Sequence, residues 1–348
     1  MRSSKQTLKR TALTSMTFAL LLSGCGGDSS STSNTEVPLQ PQPEAFTLNF
    51  KALSGQNEIN CDTQYDGFGA GGEYSLGVSD LRFYVSNIQF FDSEGNALAL
   101  TLDETEFQHN HTSGFVGLID FLGTDSGYCE LAAEGTPRTN AVITGELQQA
   151  TSTQVASISF DIGVPQAVMK NVIAASADVS DAPSPLGEMH WSWASGYRHF
   201  VLNFVAMDAA NTEMVENSNF HIGSTDCGSG AQALSEQDEC GKVNTAQVQL
   251  DNFDLSSHSV TVNLHSIMTN VLEEHFVAPV WNPIVDGDES ACIDEQRFNG
   301  YCITGESFGL QCHSGSTQNA CVGLFPNFGL SIEDGKASAT TNLVFGME

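Results

Sequence analysis

The chain has 348 residues, 42 of them acidic against 12 basic, a formal charge of −30 at pH 7 and 40% apolar residues. That balance excludes a nucleic-acid binder and attraction to anionic headgroups, because such a surface repels phosphates and draws cations and basic proteins. The length and apolar content suit one large β domain or two smaller ones.

At the N-terminus, Arg2, Lys5, Lys9 and Arg10 precede an apolar run through Phe18-Ala19-Leu20-Leu21-Leu22, which ends at Leu22-Ser23-Gly24-Cys25. A basic segment, a short apolar segment and a small-residue cleavage site predict a bacterial export signal over residues 1–24. The run is too short to span a bilayer as a mature helix. Leu-Ser-Gly-Cys is also the pattern at which bacteria cleave and acylate a cysteine, so Cys25 is the expected lipidation site, which implies a membrane lipid anchor. Gly26 after it, in place of an aspartate, favours the outer membrane, with the protein facing the periplasm. Removal of the signal leaves 8 basic and 42 acidic residues, a charge of −34. Residues 25–44, rich first in Gly and Ser and then in Pro, predict a tether, and residues 45–348 the folded domain.

Period-2 alternation dominates the folded domain. Phe46-x-Leu48-x-Phe50, Leu81-x-Phe83-x-Val85, Leu98-x-Leu100-x-Leu102, Ala156-x-Ile158-x-Phe160-x-Ile162, Phe200-x-Leu202-x-Phe204 and Val260-x-Val262-x-Leu264 all read as half-buried strands. The phase break at Ser86-Asn87 before Ile88-x-Phe90 predicts a bulge, and Asp92-Ser93-Glu94-Gly95-Asn96 a hairpin turn. Helices are expected only over Ala167–Ala175 and Ile267–His275. The fold class is therefore mostly β: an antiparallel β-sandwich with long disulfide-tied loops.

Beyond Cys25 stand eight cysteines, Cys61, Cys129, Cys227, Cys240, Cys292, Cys302, Cys312 and Cys321. An even count in an exported chain reads as four disulfides. Eight cysteines admit 105 pairings. Short separations favour Cys227–Cys240, Cys292–Cys302 and Cys312–Cys321, leaving Cys61–Cys129. The absence of Cys-x-x-Cys argues against a thioredoxin-like site, and the absence of Cys-x-x-Cys-His against a c-type haem.

Chemistry concentrates in Met189-His190-Trp191-Ser192-Trp193-Ala194-Ser195-Gly196-Tyr197-Arg198-His199-Phe200 and in Phe220-His221-Ile222-Gly223-Ser224-Thr225-Asp226-Cys227. Imidazoles beside oxidisable indoles suggest a transition metal, copper above all. Extended backbone places Trp191 and Trp193 on one face with Met189, and turns His190 away. It also puts Tyr197 and His199 opposite Phe200, Leu202 and Phe204. His109-x-His111 is a second option, because residues at i and i+2 of a strand face the same way. Met189 offers a soft thioether for Cu(I) or plain core packing.

Hydrolase signals are missing: there is no Gly-x-Ser-x-Gly and no His-Glu-x-x-His. His258, His265 and His275 read as surface or loop residues, and His313 as the neighbour of a disulfide cysteine. Asp286-Gly287-Asp288-Glu289 lacks a full EF-hand loop and reads as a solvated turn.

The order of motifs carries a resemblance. Cys61 is followed by Asp80-Leu81-Arg82-Phe83-Tyr84-Val85-Ser86-Asn87-Ile88, then Gly117-Leu118-Ile119-Asp120-Phe121 before Cys129. Ile162-Gly163-Val164-Pro165, Ser184-Pro185-Leu186, Met189 to Tyr197 and His221-x-Gly223-Ser224-Thr225-x-Cys227 come after. This series resembles the MbnP-like family, periplasmic copper-binding proteins also described as the four-Cys partner of a metallo-mystery pair. The resemblance implies a non-enzymatic protein that binds one copper ion in a site completed by oxidation of a tryptophan to kynurenine. The oxidant it implies is a partner di-haem cytochrome c peroxidase-like protein. On this reading His221 is the leading ligand, and Trp191 or Trp193 the modified residue, with Trp191 favoured by its nearness to His190. The family pattern places an Asn-His pair soon after Gly-Val-Pro. Here Gln166-Ala167-Val168-Met169-Lys170-Asn171-Val172 has the asparagine without the histidine. Either copper binding is lost, or another histidine substitutes, with His190 and His199 nearby and His109 and His111 as the further option. Two alternatives stand beside copper binding: a metal-free envelope interaction lipoprotein on the same scaffold, and a redox partner of the di-haem protein.

Overall fold

The structure is a computed structural model. It describes residues 42–348 except 70, 124–125, 132–137, 174–180, 193–195, 209–213, 228–239, 270, 272–280, 285–286, 288–296, 299–300, 304–309 and 339–340. The export signal, Cys25 and nearly all of the tether therefore lie outside the described residues, as do Trp193, His275, Cys292 and the side chain of Cys302.

Two sheets face each other. The smaller runs Phe345–Met347, Val260–Asn263, Glu44–Ser54, Val142–Leu147, Leu100–Leu102. The larger runs Ala246–Asp251, Ser157–Ile162, Tyr74–Phe91, Gly196–Asp208, Met214–Gly223, Gln311–Cys312. The strand Gly114–Asp120 also pairs with Tyr74–Phe91 and carries Gln108–His111 on its far side. Alternation in Glu44–Ser54 buries Phe46, Leu48 and Phe50 against the larger sheet. Phe46 meets Phe90 edge to face with ring centroids 5.0 Å apart, and Phe50 meets Phe83 at 5.9 Å and Phe160 at 6.0 Å. Each such ring contributes roughly 1.5–3 kcal/mol by leaving water, so this aromatic seam is what closes the sandwich.

The sheets are mixed, not wholly antiparallel. Glu44–Ser54 runs parallel to Val260–Asn263 (Phe50↔Val260), and Met214–Gly223 runs parallel to Gln311–Cys312 (Asn219↔Gln311). Long connections let the chain return in the same direction, which a hairpin does not permit.

The second face of the larger sheet is also covered. Tyr84, Val116, Leu118, Val164, Val168, Met169, Leu186, Met189, Tyr197 and Val201 form a separate apolar cluster there. Tyr84 donates its hydroxyl to Pro185 O at 3.0 Å and Tyr197 to Leu186 O at 2.7 Å, which satisfies both buried phenols. Tyr197 thus stands opposite Phe200, Leu202 and Phe204, as alternation predicts, and Met189 is core packing.

The bulge lies where the phase breaks: Asn87 has φ +51°, and the pairing steps from Asp161↔Ser86 to Ser159↔Gln89. In the turn after this strand Asp92 Oδ1 accepts from the backbone of Glu94 and Asn96, both at 2.9 Å. Of the expected helices, the first is an α turn, Gln166–Val168, running into a π turn, Met169–Ile173. Of the second, a helix Leu264–Met268 overlaps the expected start, with Asn263 capping it by accepting from Ser266 N at 3.1 Å, and residues 270 and 272–275 lie outside the described residues. A further helix, Asn319–Asn327, is one that the sequence pattern does not predict. Cys227–Cys240 and Cys312–Cys321 are joined as the short separations suggest, and Cys61–Cys129 is joined as the pair left over. No described helix is long and apolar enough to cross a membrane.

Candidate metal centre

Trp191 lies on the short strand His190–Ser192, which folds back on the start of Gly196–Asp208 with His190↔Tyr197 in register. Gly196, at φ +70°, takes the left-handed conformation that this return requires. Consecutive side chains of the short strand then part company. His190 turns to the second apolar cluster and meets Tyr197 edge to face at 5.3 Å. Trp191, half-buried, turns the other way and stands 6.1 Å from the ring of His221 and 5.7 Å from that of His313.

His221 sits opposite Val201 in the pairing of Met214–Gly223 with Gly196–Asp208. It is 8% exposed, and its Nε2 faces Asn203 Oδ1 at 2.8 Å. Phe220 and Ile222 on either side point into the main core, so alternation alone delivers His221 to the outer face. Burial, then the charges of Arg198, His313 and Arg82, push its pKa down to about 3.

His313 follows Cys312, whose strand pairs parallel with Asn219–Phe220. Its Nδ1 is 3.2 Å from Nδ1 of His221, and the ring centroids are 4.9 Å apart. Its Nε2 is 3.1 Å from Gln311 Oε1. Burial and then Arg198 lower its pKa. Both imidazoles are therefore neutral at pH 7, the form that ligates metals. The loop is clamped onto its neighbour: Ser314 Oγ donates to His221 O at 3.1 Å and accepts from Gly223 N at 2.8 Å. The His313 backbone N–H donates to Gln318 Oε1 at 2.7 Å.

A neutral imidazole pair, His221 buried and His313 half-buried, beside an oxidisable indole fits a copper ion better than a hard cation, which takes oxygen ligands. Among the described residues no group of three or more His, Cys, Asp or Glu side chains is placed to hold a metal. A third protein ligand would have to come from elsewhere, and Trp191 is the side chain at hand.

The other expected ligands lie apart from this cluster. His199 is fully buried: its Nε2 donates to Val243 O at 2.9 Å and its Nδ1 accepts from Val164 N at 3.2 Å, so both nitrogens serve the fold. Burial lowers its pKa to about 4. His109 and His111 share a face of the strand Gln108–His111, as i and i+2 demand, with near-parallel rings 6.3 Å apart. His109 Nδ1 is held by Glu104 Oε1 at 2.7 Å, and His111 Nδ1 accepts from Ser113 N at 3.0 Å. His265 stacks on Phe68 at 4.4 Å. Trp193 lies outside the described residues. His313 is the site residue that sequence reasoning missed. Its one local signal is a histidine directly after a cysteine, at the end of a stretch that pairs with the strand of His221.

The family model for MbnP matches residues 43–277. A solved structure, MbnP from Methylosinus trichosporium, is similar over 88% of this chain and 99% of that chain, with a TM-score of 0.62 and 19% sequence identity. At that identity the likeness speaks for the fold. No curated protein matches the sequence.

Proposed function

The chain belongs to the MbnP family, and from that premise we propose that it is a non-catalytic envelope protein that binds copper between His221 and Trp191. The observation that carries the reading is the setting of His221: buried, neutral, anchored through Nε2 to Asn203, with its ring edge to face with the indole of Trp191 at 6.1 Å. Neutral imidazole is a good copper ligand, and an anchored one loses little freedom on binding. Bound copper would supply a one-electron redox couple and a Lewis-acid centre.

Intact indole nitrogen is a poor ligand, because its lone pair belongs to the ring π system. Oxidative cleavage of the Trp191 indole C2–C3 bond adds two oxygens to give N-formylkynurenine, and hydrolysis releases formate, so kynurenine has one carbon fewer and one oxygen more and exposes an aryl amine and a ketone, both able to coordinate. The oxidant would be a partner di-haem cytochrome c peroxidase-like protein. A half-buried ring is open to such a partner on one side and held against two imidazoles on the other. In this reading Cys25 carries the lipid, residues 25–44 form the tether, and the domain faces the periplasm from the outer membrane.

Intact mass and metal content test it, on protein made together with the di-haem partner. Stoichiometric copper, and a Trp191 peptide that has gained one oxygen and lost one carbon, are expected. An unmodified, copper-free chain after exposure to the partner would refute it. Trp191→Phe should remove the mass change and His221→Ala the copper.

A further inference from the structure

We propose that His313, delivered by the C-terminal disulfide loop, is the second imidazole ligand of this site, with Asn203 and Gln311 as the positioning residues that set both tautomers. The inference rests on the copper-binding reading above and adds to it where the missing histidine is replaced.

Each ring has its Nε2 opposite an amide oxygen, His221 on Asn203 Oδ1 at 2.8 Å and His313 on Gln311 Oε1 at 3.1 Å. An amide oxygen only accepts, so Nε2 carries the proton in both rings and each Nδ1 keeps its lone pair. Gln311 Oε1 also accepts from Asn219 Nδ2 at 3.2 Å, in keeping with its role as acceptor. The two Nδ1 atoms then face each other at 3.2 Å with no hydrogen to share. Two lone pairs at that separation repel, and a cation that both can reach reverses the sign. Ring nitrogens bound at roughly 2.0–2.1 Å to one tetrahedral ion stand about 3.3 Å apart, which the observed spacing already matches.

The arrangement is built and held. Cys312 and Cys321, both fully buried, close the loop that carries His313. Gln318 Oε1 accepts from the backbone of His313 and Gly315, and Ser314 ties the loop to His221 O and Gly223 N. A metal-bound histidine almost always has its remote N–H anchored on an oxygen acceptor, the part that Asn203 and Gln311 play here. His313 lies beyond residues 43–277, so this chain supplies its second imidazole from outside the segment that the family model matches.

The test uses the full exported protein in two measurements. In the metal-free protein, nitrogen-15 NMR of the histidines should show the Nε2–H tautomer for both His221 and His313. A proton on Nδ1 of either ring overturns the inference whatever copper does. In the loaded protein, chelator competition and copper X-ray absorption are run on wild type, His221→Ala, His313→Ala and Gln311→Leu. Wild type should show two imidazole scatterers. His313→Ala should show one, and Gln311→Leu should bind roughly 10–100-fold more weakly. Gln311→Leu keeps the claim testable if His313→Ala does not fold. Undiminished binding by His313→Ala, with binding lost in His221→Ala, overturns the role of His313 and leaves the copper reading standing. A fully modified wild type that takes up no copper overturns both.

Discussion

Asn203 and His221 stand on neighbouring strands, two positions out of register, with Asn203 Oδ1 2.8 Å from His221 Nε2. This contact leaves the other ring nitrogen, Nδ1, facing Nδ1 of His313 at 3.2 Å. Replacing Asn203 with Leu removes the acceptor and lets the imidazole turn or change tautomer. Copper affinity should fall roughly 10–100-fold while the melting temperature of the metal-free protein changes little. An affinity equal to wild type in chelator competition would show that the contact has no part in binding.

The metal-free protein should respond to acid through His221. Its pKa is about 3 in the fold against 6.5 in the unfolded chain, so the unfolded chain takes the proton first. The stability it provides is complete above pH 6.5 and is lost as pH falls toward 3, by up to about 1.4 kcal/mol per pH unit. Between pH 6.5 and 4.5 the slope of urea-unfolding stability should therefore be shallower in His221→Asn than in wild type. Equal slopes would mean that burial does not hold this imidazole neutral.

Gly163 is a second point of strain and close approach. It has φ +143°, and a Cβ there would lie 2.9 Å from Cγ of the buried His199 ring. Its carbonyl also accepts from Ser86 Oγ at 2.8 Å, so the backbone has little room to yield. Gly163→Ala should cost about 1–3 kcal/mol, read as a lower urea midpoint. An unchanged midpoint would show that the sheet relaxes freely there.

The disulfides should differ in weight. Cys61–Cys129 spans 68 residues, against 13 for Cys227–Cys240 and 9 for Cys312–Cys321. Loop-closure entropy assigns about 4 kcal/mol to the first and about 3 kcal/mol to each of the others. Paired Cys→Ala variants, compared by equilibrium unfolding, should fall in that order. Of these three, the Cys312–Cys321 pair is the one whose loss should weaken copper binding, because its loop carries His313 of the Trp191 cluster.

Much of the fold was legible in the chain because strand alternation is local. The inward set Phe46, Leu48, Phe50, the bulge at Asn87 and the turn at Asp92 all arise from neighbouring residues. Partners distant in sequence were not legible. Phe50↔Val260 and Asn219↔Gln311 are parallel pairings, and no periodicity within either strand announces its direction. The candidate site divides the same way. The opposite facing of His190 and Trp191 was readable from backbone extension. That His199 spends both nitrogens on Val243 and Val164 was not, because those groups arrive from other elements. His313 looked like the neighbour of a disulfide cysteine because its meaning lies in what stands across from Gln311–Cys312.

His221 and the imidazole it faces are 92 positions apart in the chain. Ribosomes release a chain from its N-terminus, so Trp191 and His221 exist well before His313 does. A nascent or prematurely ended product can therefore present the indole and one imidazole, but never the pair. Synthesis must pass His313 before the cluster can form, so the order of residues along the chain acts as a timer on its assembly.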